Sequence, residues 1–156
     1  MSPANTKSNA IHQLFAYLCV GDVNKAIQFY TEVFGGQERL RLTEPSGRIG
    51  HAEVELAPGI VVMMSDPFPE CGINPPAPGA GTSVTLHLHA DNADDIIERA
   101  LKAGATLERP AKDEFYGERS GVFRDPFGHR WNIGHSIERV SGEEMQARYT
   151  ALLSAK

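Results

Sequence analysis

The sequence predicts an α+β fold in which two βαβββ modules follow one another and a helix ends the chain. Three observations indicate this fold. Strand and helix patterns occur twice in the same order, turn glycines recur at a constant separation, and a segment rich in proline and glycine separates the two copies. Because the chain has 156 residues, it is long enough for one domain with a sizeable core. The two modules are therefore expected to pack as halves of a single domain.

The first module is expected over residues 13–66, after a flexible polar tail of residues 1–12. LFAYLCV is a short apolar run typical of a buried strand. In the next segment, GDVNKAIQFYTEVFGG, Asp22 can cap a helix and Gly35 can end it. The runs QERLRLTE, IGHAEVELA and IVVMMSD then predict three strands, which PSG and PG turns separate.

The second module repeats this order over residues 82–137. A linker of residues 67–81 precedes it and contains too many prolines for a helix or a central strand. TSVTLHLHA predicts a strand, DNADDIIERALKAG predicts a helix capped by Asn92 or Asp91, and ATLERPAKDEF, GERSGVFRD and HRWNIGH predict three further strands. Two pairs of glycines lie at corresponding points of the copies, each pair 69 residues apart: Gly35 with Gly104, and Gly59 with Gly128.

The chain ends in a predicted helix within residues 138–156. Ser141 and Glu144 have the spacing of a capping box, which marks the start of a helix. Along this helix runs an apolar stripe of Met145, Tyr149, Leu152 and Leu153. Because such a stripe is normally buried, we expect it to pack either on the same chain or on a partner chain.

Charge and composition limit the classes of partner. The net charge is −5 and the basic residues are dispersed, so neither nucleic acid nor an acidic membrane surface is expected as the main partner.

The N-terminus lacks the apolar stretch of a secretory signal, and no run approaches the roughly 20 apolar residues that span a bilayer. Two cysteines, Cys19 and Cys71, do not form a disulfide framework, although a single disulfide between them stays open. We expect a cytoplasmic protein with reduced cysteines.

Two motifs carry a resemblance to a known family. VGDVNKAIQFYTEVFGG (20–36) and DPFGHRWNIG (125–134), within two tandem βαβββ units, resemble the vicinal oxygen chelate superfamily. This superfamily contains glyoxalase I, extradiol dioxygenases, fosfomycin- and bleomycin-resistance proteins and methylmalonyl-CoA epimerase. The segment GIVVMMSDPFP (59–69) further resembles a bacterial subgroup named after PhnB. The resemblance implies that two curved sheets, with their helices outside, form a cup around a cavity, and that the protein is a homodimer.

The resemblance also implies where a metal would bind. Metal-dependent members place four ligands in the cavity, and the matching positions of this chain are Phe15, Met63, Thr85 and Asn132. Phenylalanine has no lone pair, and the thioether of methionine is a soft ligand that suits Cu(I). Threonine and asparagine offer neutral oxygens, which bind Ca²⁺ or Mg²⁺ only beside carboxylates. We therefore expect no metal ion at the family position.

Strand alternation predicts what the cavity contains instead. If Phe15 faces inward, Tyr17 does too, and if Thr85 faces inward, His87 and His89 do too. Such a mixture of aromatic and polar groups is typical of a pocket for an organic ligand. The residues expected to bind the ligand are Phe15, Tyr17, Met63, Thr85, His87, Arg119 and Asn132.

Several side chains in these segments permit two interpretations. Arg119, with Tyr116 and Glu118, either lines the mouth of the cavity and binds a carboxylate or belongs to a surface hairpin with paired charges. His89 is expected near the strand end in solvent, and we also expect His129 and His135 to be solvated. Trp131 is expected in the core, and Asp125 is expected to stabilise the DPFG turn through its side chain. Cys19 has no base beside it in the sequence that would make it a nucleophile.

The leading functional hypothesis is a protein that binds a small, partly aromatic or amphipathic organic molecule without a metal cofactor. The resemblance supports it, because members related to bleomycin resistance protect by sequestration. The alternative is a lyase, isomerase or dioxygenase of the glyoxalase type. Such an enzyme would use a divalent metal at a displaced site, such as His51, His87 and a carboxylate, or acid–base chemistry by His87 with Tyr17.

Overall fold

The computed structural model describes residues 9–155, so most of the predicted tail and the last residue lie outside the described range. The predicted order of elements is confirmed. The first module consists of β1 (Ala16–Cys19), α1 (Val23–Phe34), β2 (Gln37–Thr43), β3 (Ile49–Ala57) and β4 (Ile60–Ser65). The second consists of β5 (Thr85–His89), α2 (Ala93–Lys102), β6 (Thr106–Asp113), β7 (Glu118–Arg124) and β8 (Arg130–Ser136). The last helix is α3 (Gly142–Ser154).

The helices begin and end where their capping residues predict. The Asp22 side chain accepts a hydrogen bond of 3.1 Å from the backbone N–H of Lys25, and Gly35 ends α1 in the left-handed region at φ 73°. In the second module Asn92, rather than Asp91, caps α2 by accepting a hydrogen bond from the N–H of Asp95 at 3.2 Å. These local bonds satisfy backbone groups that the helices leave free at their ends.

Each module forms its own four-stranded mixed sheet, so the two sheets are not one continuous sheet among the described residues. The strand orders are β1-β4-β3-β2 and β5-β8-β7-β6, and the first strand of each module runs parallel to the last. This topology places Met63 of β4 between Tyr17 of β1 and Glu53 of β3. In the second sheet it places Asn132 of β8 beside His87 of β5. The predicted α+β fold of two tandem βαβββ modules is confirmed.

Helices α1 and α2 contact each other, and one hydrophobic core extends across both modules. At the junction lies Asp125, whose side chain is buried. Its Oδ1 accepts hydrogen bonds from the backbone N–H groups of Phe127 and His129 at 2.9 Å each, as predicted for the turn. Its Oδ2 accepts bonds from the Tyr30 hydroxyl at 2.6 Å and from Nε1 of Trp131 at 2.9 Å. The carboxylate therefore connects α1 of the first module to β8 of the second, and Trp131 lies in the core as expected.

Two histidines have structural roles that the sequence analysis did not predict. We expected His129 and His135 to be solvated, and that expectation is wrong, because both are partly buried and hydrogen-bonded. Nε2 of His129 lies 2.8 Å from the carbonyl oxygen of Cys19, which joins the modules a second time. Nδ1 of His135 accepts a bond of 2.9 Å from the N–H of Ala93 in the first turn of α2.

The linker passes over the second module without forming a long element. It contains a single 3-10 turn at Pro69–Cys71, and the carbonyl of Ala80 accepts a hydrogen bond from Arg124 at 3.1 Å. Cys71 is exposed and Cys19 is half-buried, and both are free thiols. Cys19 and Cys71 therefore do not form a disulfide with each other.

Helix α3 contacts the described part of the chain through side chains that include Arg148 and Tyr149. Tyr149 stacks on Phe115 with ring centroids 5.5 Å apart, and Arg148 pairs with Glu138. Leu152 and Leu153 remain about half exposed, so the described part of the chain does not cover the apolar stripe. The homodimer stays a prediction. None of the helices in the described residues has the length and apolar character needed to cross a membrane.

Candidate functional site

A hydrogen-bonded chain of three side chains lies on one face of the first sheet. The hydroxyl of Tyr17 is 2.8 Å from Nδ1 of His51, and Nε2 of His51 is 3.0 Å from Oε1 of Glu53. Tyr17 is 52% exposed, so its ring forms part of the surface. Burial of the hydroxyl and the charge of Glu53 raise the pKa of Tyr17 above its ordinary value, so the hydroxyl retains its proton at neutral pH.

A second cluster lies on the corresponding face of the other sheet. His87 and His89 project from the same side of β5, and both approach Glu118 at the start of β7. Nε2 of His87 is 3.5 Å from Oε2 of Glu118, and Nε2 of His89 makes a short contact with Oε1. As expected, His89 is the last residue of β5 and its side chain is 51% exposed, but it also contacts Glu118.

The structure does not bring together the residues of the displaced metal site that the sequence suggested. His51 bonds to Tyr17 and Glu53 on the first sheet rather than joining His87. Tyr17 likewise has His51, and not His87, as its hydrogen-bond partner. Among the described residues, the set of three side chains with metal-ligating atoms within 4.8 Å of one another is His87, His89 and Glu118.

The four residues at the family's metal position do not fit a divalent cation. Thr85 is exposed and its Oγ1 accepts a hydrogen bond of 2.8 Å from the guanidinium of Arg130, which brings a positive charge to this position. Phe15 and Met63 are half-buried and offer a ring and a thioether. The Oδ1 atom of Asn132 is buried without a hydrogen-bond partner, but it is a neutral donor. A dication here would meet no anionic ligand among these four and would be repelled by the arginine.

Arg119 lies apart from the other predicted site residues. Its guanidinium donates to Asp94 of α2 at 2.7 and 3.0 Å and to Asp113 of β6 at 3.1 Å. Because side chains alternate along a strand, Arg119 faces the helix side of β7 while Glu118 faces the histidines. The paired-charge alternative is therefore the one that the structure shows.

An open cleft of about 840 Å³ lies between β1, the start of β5 and the linker. Of the predicted ligand-binding residues, Phe15 and Tyr17 line it. Leu14, Val84, Leu86 and the linker prolines Pro75 and Pro76 also line it, and the sequence analysis did not name these as site residues. Strand periodicity gives no direction for the residues outside the strands. Leu86 lies within β5, where alternation predicts it on the face opposite Thr85 and His87.

Cys19 also lines this cleft but is not activated as a nucleophile. Burial, and to a lesser extent the charge of Asp66, raises the pKa of the Cys19 thiol. The thiolate is the reactive form of cysteine, so a raised pKa lowers reactivity at neutral pH. This agrees with the absence of an adjacent base in the sequence.

Comparison with known proteins identifies the family. Residues 10–133 match the family model described as the Glyoxalase/Bleomycin resistance protein/Dioxygenase superfamily. The chain therefore belongs to this superfamily, and the resemblance predicted from the two motifs is confirmed.

Individual proteins are similar to this chain in sequence or in fold. The chain is 39% identical over 137 residues to the uncharacterized protein Mb0911c of Mycobacterium bovis, covering 86% of this chain and 90% of that protein. Its fold is similar to that of TioX from Micromonospora sp. ML1, which is 25% identical in sequence. The TM-score is 0.61, and the match covers 81% of this chain and 100% of TioX. The PhnB protein from Bacillus cereus, at 16% identity, shares the fold with a TM-score of 0.63 over 80% of this chain and 100% of its own.

Proposed function

We propose that this protein binds a small organic molecule with aromatic or apolar surface in the cleft beside β1 and β5. The observation that carries the proposal is the cleft itself, which has about 840 Å³ and mostly apolar walls. Clefts of several hundred Å³ with apolar walls and few polar groups are typical of small-molecule sites. No metal ion would take part in binding this molecule. The side chains at the family's metal position supply no anionic donor atoms; they are Phe15, Met63, Thr85 and Asn132.

The exposure of the cleft walls supports this proposal. Leu14 is 96% exposed and Val84 is 62% exposed, and both line the cleft beside the exposed ring of Tyr17. Exposed apolar side chains that adjoin one another mark binding surfaces more often than isolated ones do. A flat, apolar ligand would cover these side chains, and the Tyr17 hydroxyl and the linker carbonyls would provide the polar edge.

The proposal is tested with the anilinonaphthalenesulfonate dye ANS as the probe. We expect ANS to bind the wild-type chain, and Val84→Asp to weaken its affinity at least about tenfold, because a desolvated carboxylate opposes an apolar anionic ligand. The measurement is a fluorescence titration of both proteins at one salt concentration. Leu107→Asp is the control, because Leu107 is also an exposed apolar residue and does not line the cleft.

The control must keep the affinity of the wild type. Absence of ANS binding, or an equal loss in Val84→Asp and Leu107→Asp, would contradict binding in the cleft. Native mass spectrometry of the same preparations adds an independent check, since a small molecule retained from expression should be present in the wild type and depleted in Val84→Asp.

A second candidate function is proton transfer by the chain of Tyr17, His51 and Glu53. When His51 is protonated, Nε2 donates to Glu53 and Nδ1 donates to the oxygen of Tyr17. The Tyr17 proton is then free to pass to a substrate, and Nδ1 returns a proton to the tyrosine oxygen. An isomerase or lyase of the glyoxalase type could use this arrangement, with His51 in the place that the sequence suggested for His87.

This second candidate is tested by turnover of glutathione hemithioacetals and catechols. If it is correct, Tyr17→Phe lowers the rate at least about a hundredfold, because general acid–base groups contribute that much or more. Tyr149→Phe, on α3, controls for loss of a tyrosine hydroxyl and should leave the rate unchanged. A rate at background for the wild type, or an equal rate in Tyr17→Phe, would exclude this candidate and leave ligand binding as the function.

A further inference from the structure

We propose that His87, His89 and Glu118 form a binding site for one divalent transition-metal ion. The site lies on β5 and β7, beside the family position rather than at it, since His87 follows Thr85 by two residues. The proposal is independent of the organic ligand, because none of the three residues lines the cleft that would hold it.

The geometry of the three side chains fits a common ligand. Two strand residues separated by one position project from the same side, so both imidazoles of β5 reach the same space. Their ring centroids are 5.2 Å apart. Both Nε2 atoms converge on one carboxylate, with the His87 nitrogen 3.5 Å from Oε2 and the His89 nitrogen in contact with Oε1. Bonds of about 2.0–2.2 Å from Zn²⁺ to nitrogen and oxygen need donor atoms about 3–4 Å apart, which the His87–Glu118 distance already meets.

One carboxylate oxygen of the cluster, and one amide oxygen of the residue beside His87 in the sheet, lack hydrogen-bond partners. The side chain of Glu118 is only 18% exposed, and its Oε2 is buried without a partner among the described residues. Oδ1 of Asn132, which lies across from His87 in the sheet register, is buried and unpartnered as well. A buried acceptor without a partner destabilises the fold, and more so when it is charged. A cation bound by His87, His89 and Glu118 would give this carboxylate oxygen a partner.

Gly134 leaves the space between the donor atoms of His87 and Glu118 free of any side chain. It lies between His89 and Ser120 in the sheet. A Cβ atom at this position would lie 3.1 Å from Oε2 of Glu118 and 3.5 Å from Nε2 of His87. Any other side chain would therefore fill the space between the two donor atoms, while glycine keeps it free.

The donor set indicates the class of ion. Two imidazole nitrogens and one carboxylate oxygen suit Zn²⁺ and the neighbouring first-row ions, whereas Ca²⁺ and Mg²⁺ prefer oxygen donors alone. One carboxylate leaves a net positive charge on a bound dication, and three protein ligands leave coordination positions for water or another molecule. An ion pair with Glu118 would need only one imidazole. It would not account for the second imidazole or for the space that Gly134 leaves beside the donor atoms.

The test measures Zn²⁺ binding to the full chain after treatment with a chelator. Isothermal titration should show one Zn²⁺ per chain, and Co²⁺ should give the absorption bands of a site with nitrogen and oxygen ligands. Glu118→Gln removes the anionic donor and Gly134→Ala fills the space beside the donor atoms, so each should weaken Zn²⁺ affinity at least about tenfold. Glu53→Gln is the matched control, because Glu53 also pairs with a histidine but has only one imidazole beside it. It should keep the wild-type Zn²⁺ affinity.

Two outcomes would overturn the proposal. One is the absence of stoichiometric Zn²⁺ binding to the wild type. The other is binding that persists unchanged in both Glu118→Gln and Gly134→Ala, which would place the ion on other histidines. The unfolding midpoint of each metal-free variant shows whether that variant is still folded. If one of the two variants is unfolded, His87→Ala is measured in its place, because the His87 side chain is half-exposed.

Discussion

Asp125→Ala is expected to lower the free energy of unfolding by about 4 kcal/mol, because it leaves buried donors without an acceptor. The Tyr30 hydroxyl and Nε1 of Trp131 both donate to Oδ2 of this carboxylate, and both side chains are almost completely buried. Each unsatisfied buried donor costs about 1–3 kcal/mol, and the turn also loses the acceptor for two backbone N–H groups. Urea denaturation of wild type and variant measures the difference.

Two further variants locate the origin of that loss. Tyr30→Phe removes one of the four hydrogen bonds and leaves the rest, so it should cost about 1 kcal/mol. Burial and the Asp125 charge raise the pKa of Tyr30 well above its ordinary value, so its hydroxyl remains a donor throughout the pH range of such an experiment. Asp22→Ala removes an exposed helix cap and should cost about 1 kcal/mol. An Asp125→Ala loss no larger than that of Asp22→Ala would contradict the role of Asp125 as the connection between modules.

Gly117→Ala is expected to destabilise the chain by about 3 kcal/mol or more, because backbone strain and crowding add at this position. Gly117 adopts φ 88° in the turn between β6 and β7. A Cβ atom there would lie 2.9 Å from Cγ2 of Val140 and would also overlap the carbonyl oxygen of Glu138. The measurement is again the free energy of unfolding in urea.

The equivalent turn of the first module supplies a matched control. Gly47, between β2 and β3, has φ 93° and the same pattern of backbone hydrogen bonds, but no atom lies within 4 Å of a Cβ built there. Gly47→Ala should therefore cost only the conformational term of about 1–2 kcal/mol. Equal losses in the two variants would mean that the contact of Gly117 with Glu138 and Val140 is not tight in solution.

The crowded turn also bears on the proposed metal site. The carbonyl of Gly117 accepts hydrogen bonds from the N–H groups of Ile137 and Glu138 at 3.0 and 3.2 Å, and Glu118 follows directly in the chain. A shift of this turn would move the Glu118 carboxylate relative to His87 and His89. The first residue of β7 is thus placed by packing against the segment after β8.

Local patterns determined the elements of this protein. The cap at Asp22, the glycine end of α1 and the alternation of β3 and β8 depend on interactions between residues a few positions apart, so the order of helices and strands follows from them. The repeat and the two motifs then determined the tandem modules and the superfamily. The poor donors at Phe15, Met63, Thr85 and Asn132 are likewise evident from residue chemistry alone.

Only the tertiary structure decided which side chains meet. Glu118 contacts His89 across 29 residues of sequence, and His51 contacts Tyr17 across 34. Both contacts depend on strand order and register, and a change of register by one residue would turn these side chains to the opposite face. The same dependence explains Arg119, which pairs with a helix, and His129, which bonds to a carbonyl of the other module. A sequence specifies such pairs only through the packing of the whole chain, because no short-range interaction distinguishes the partner from other residues of the same type.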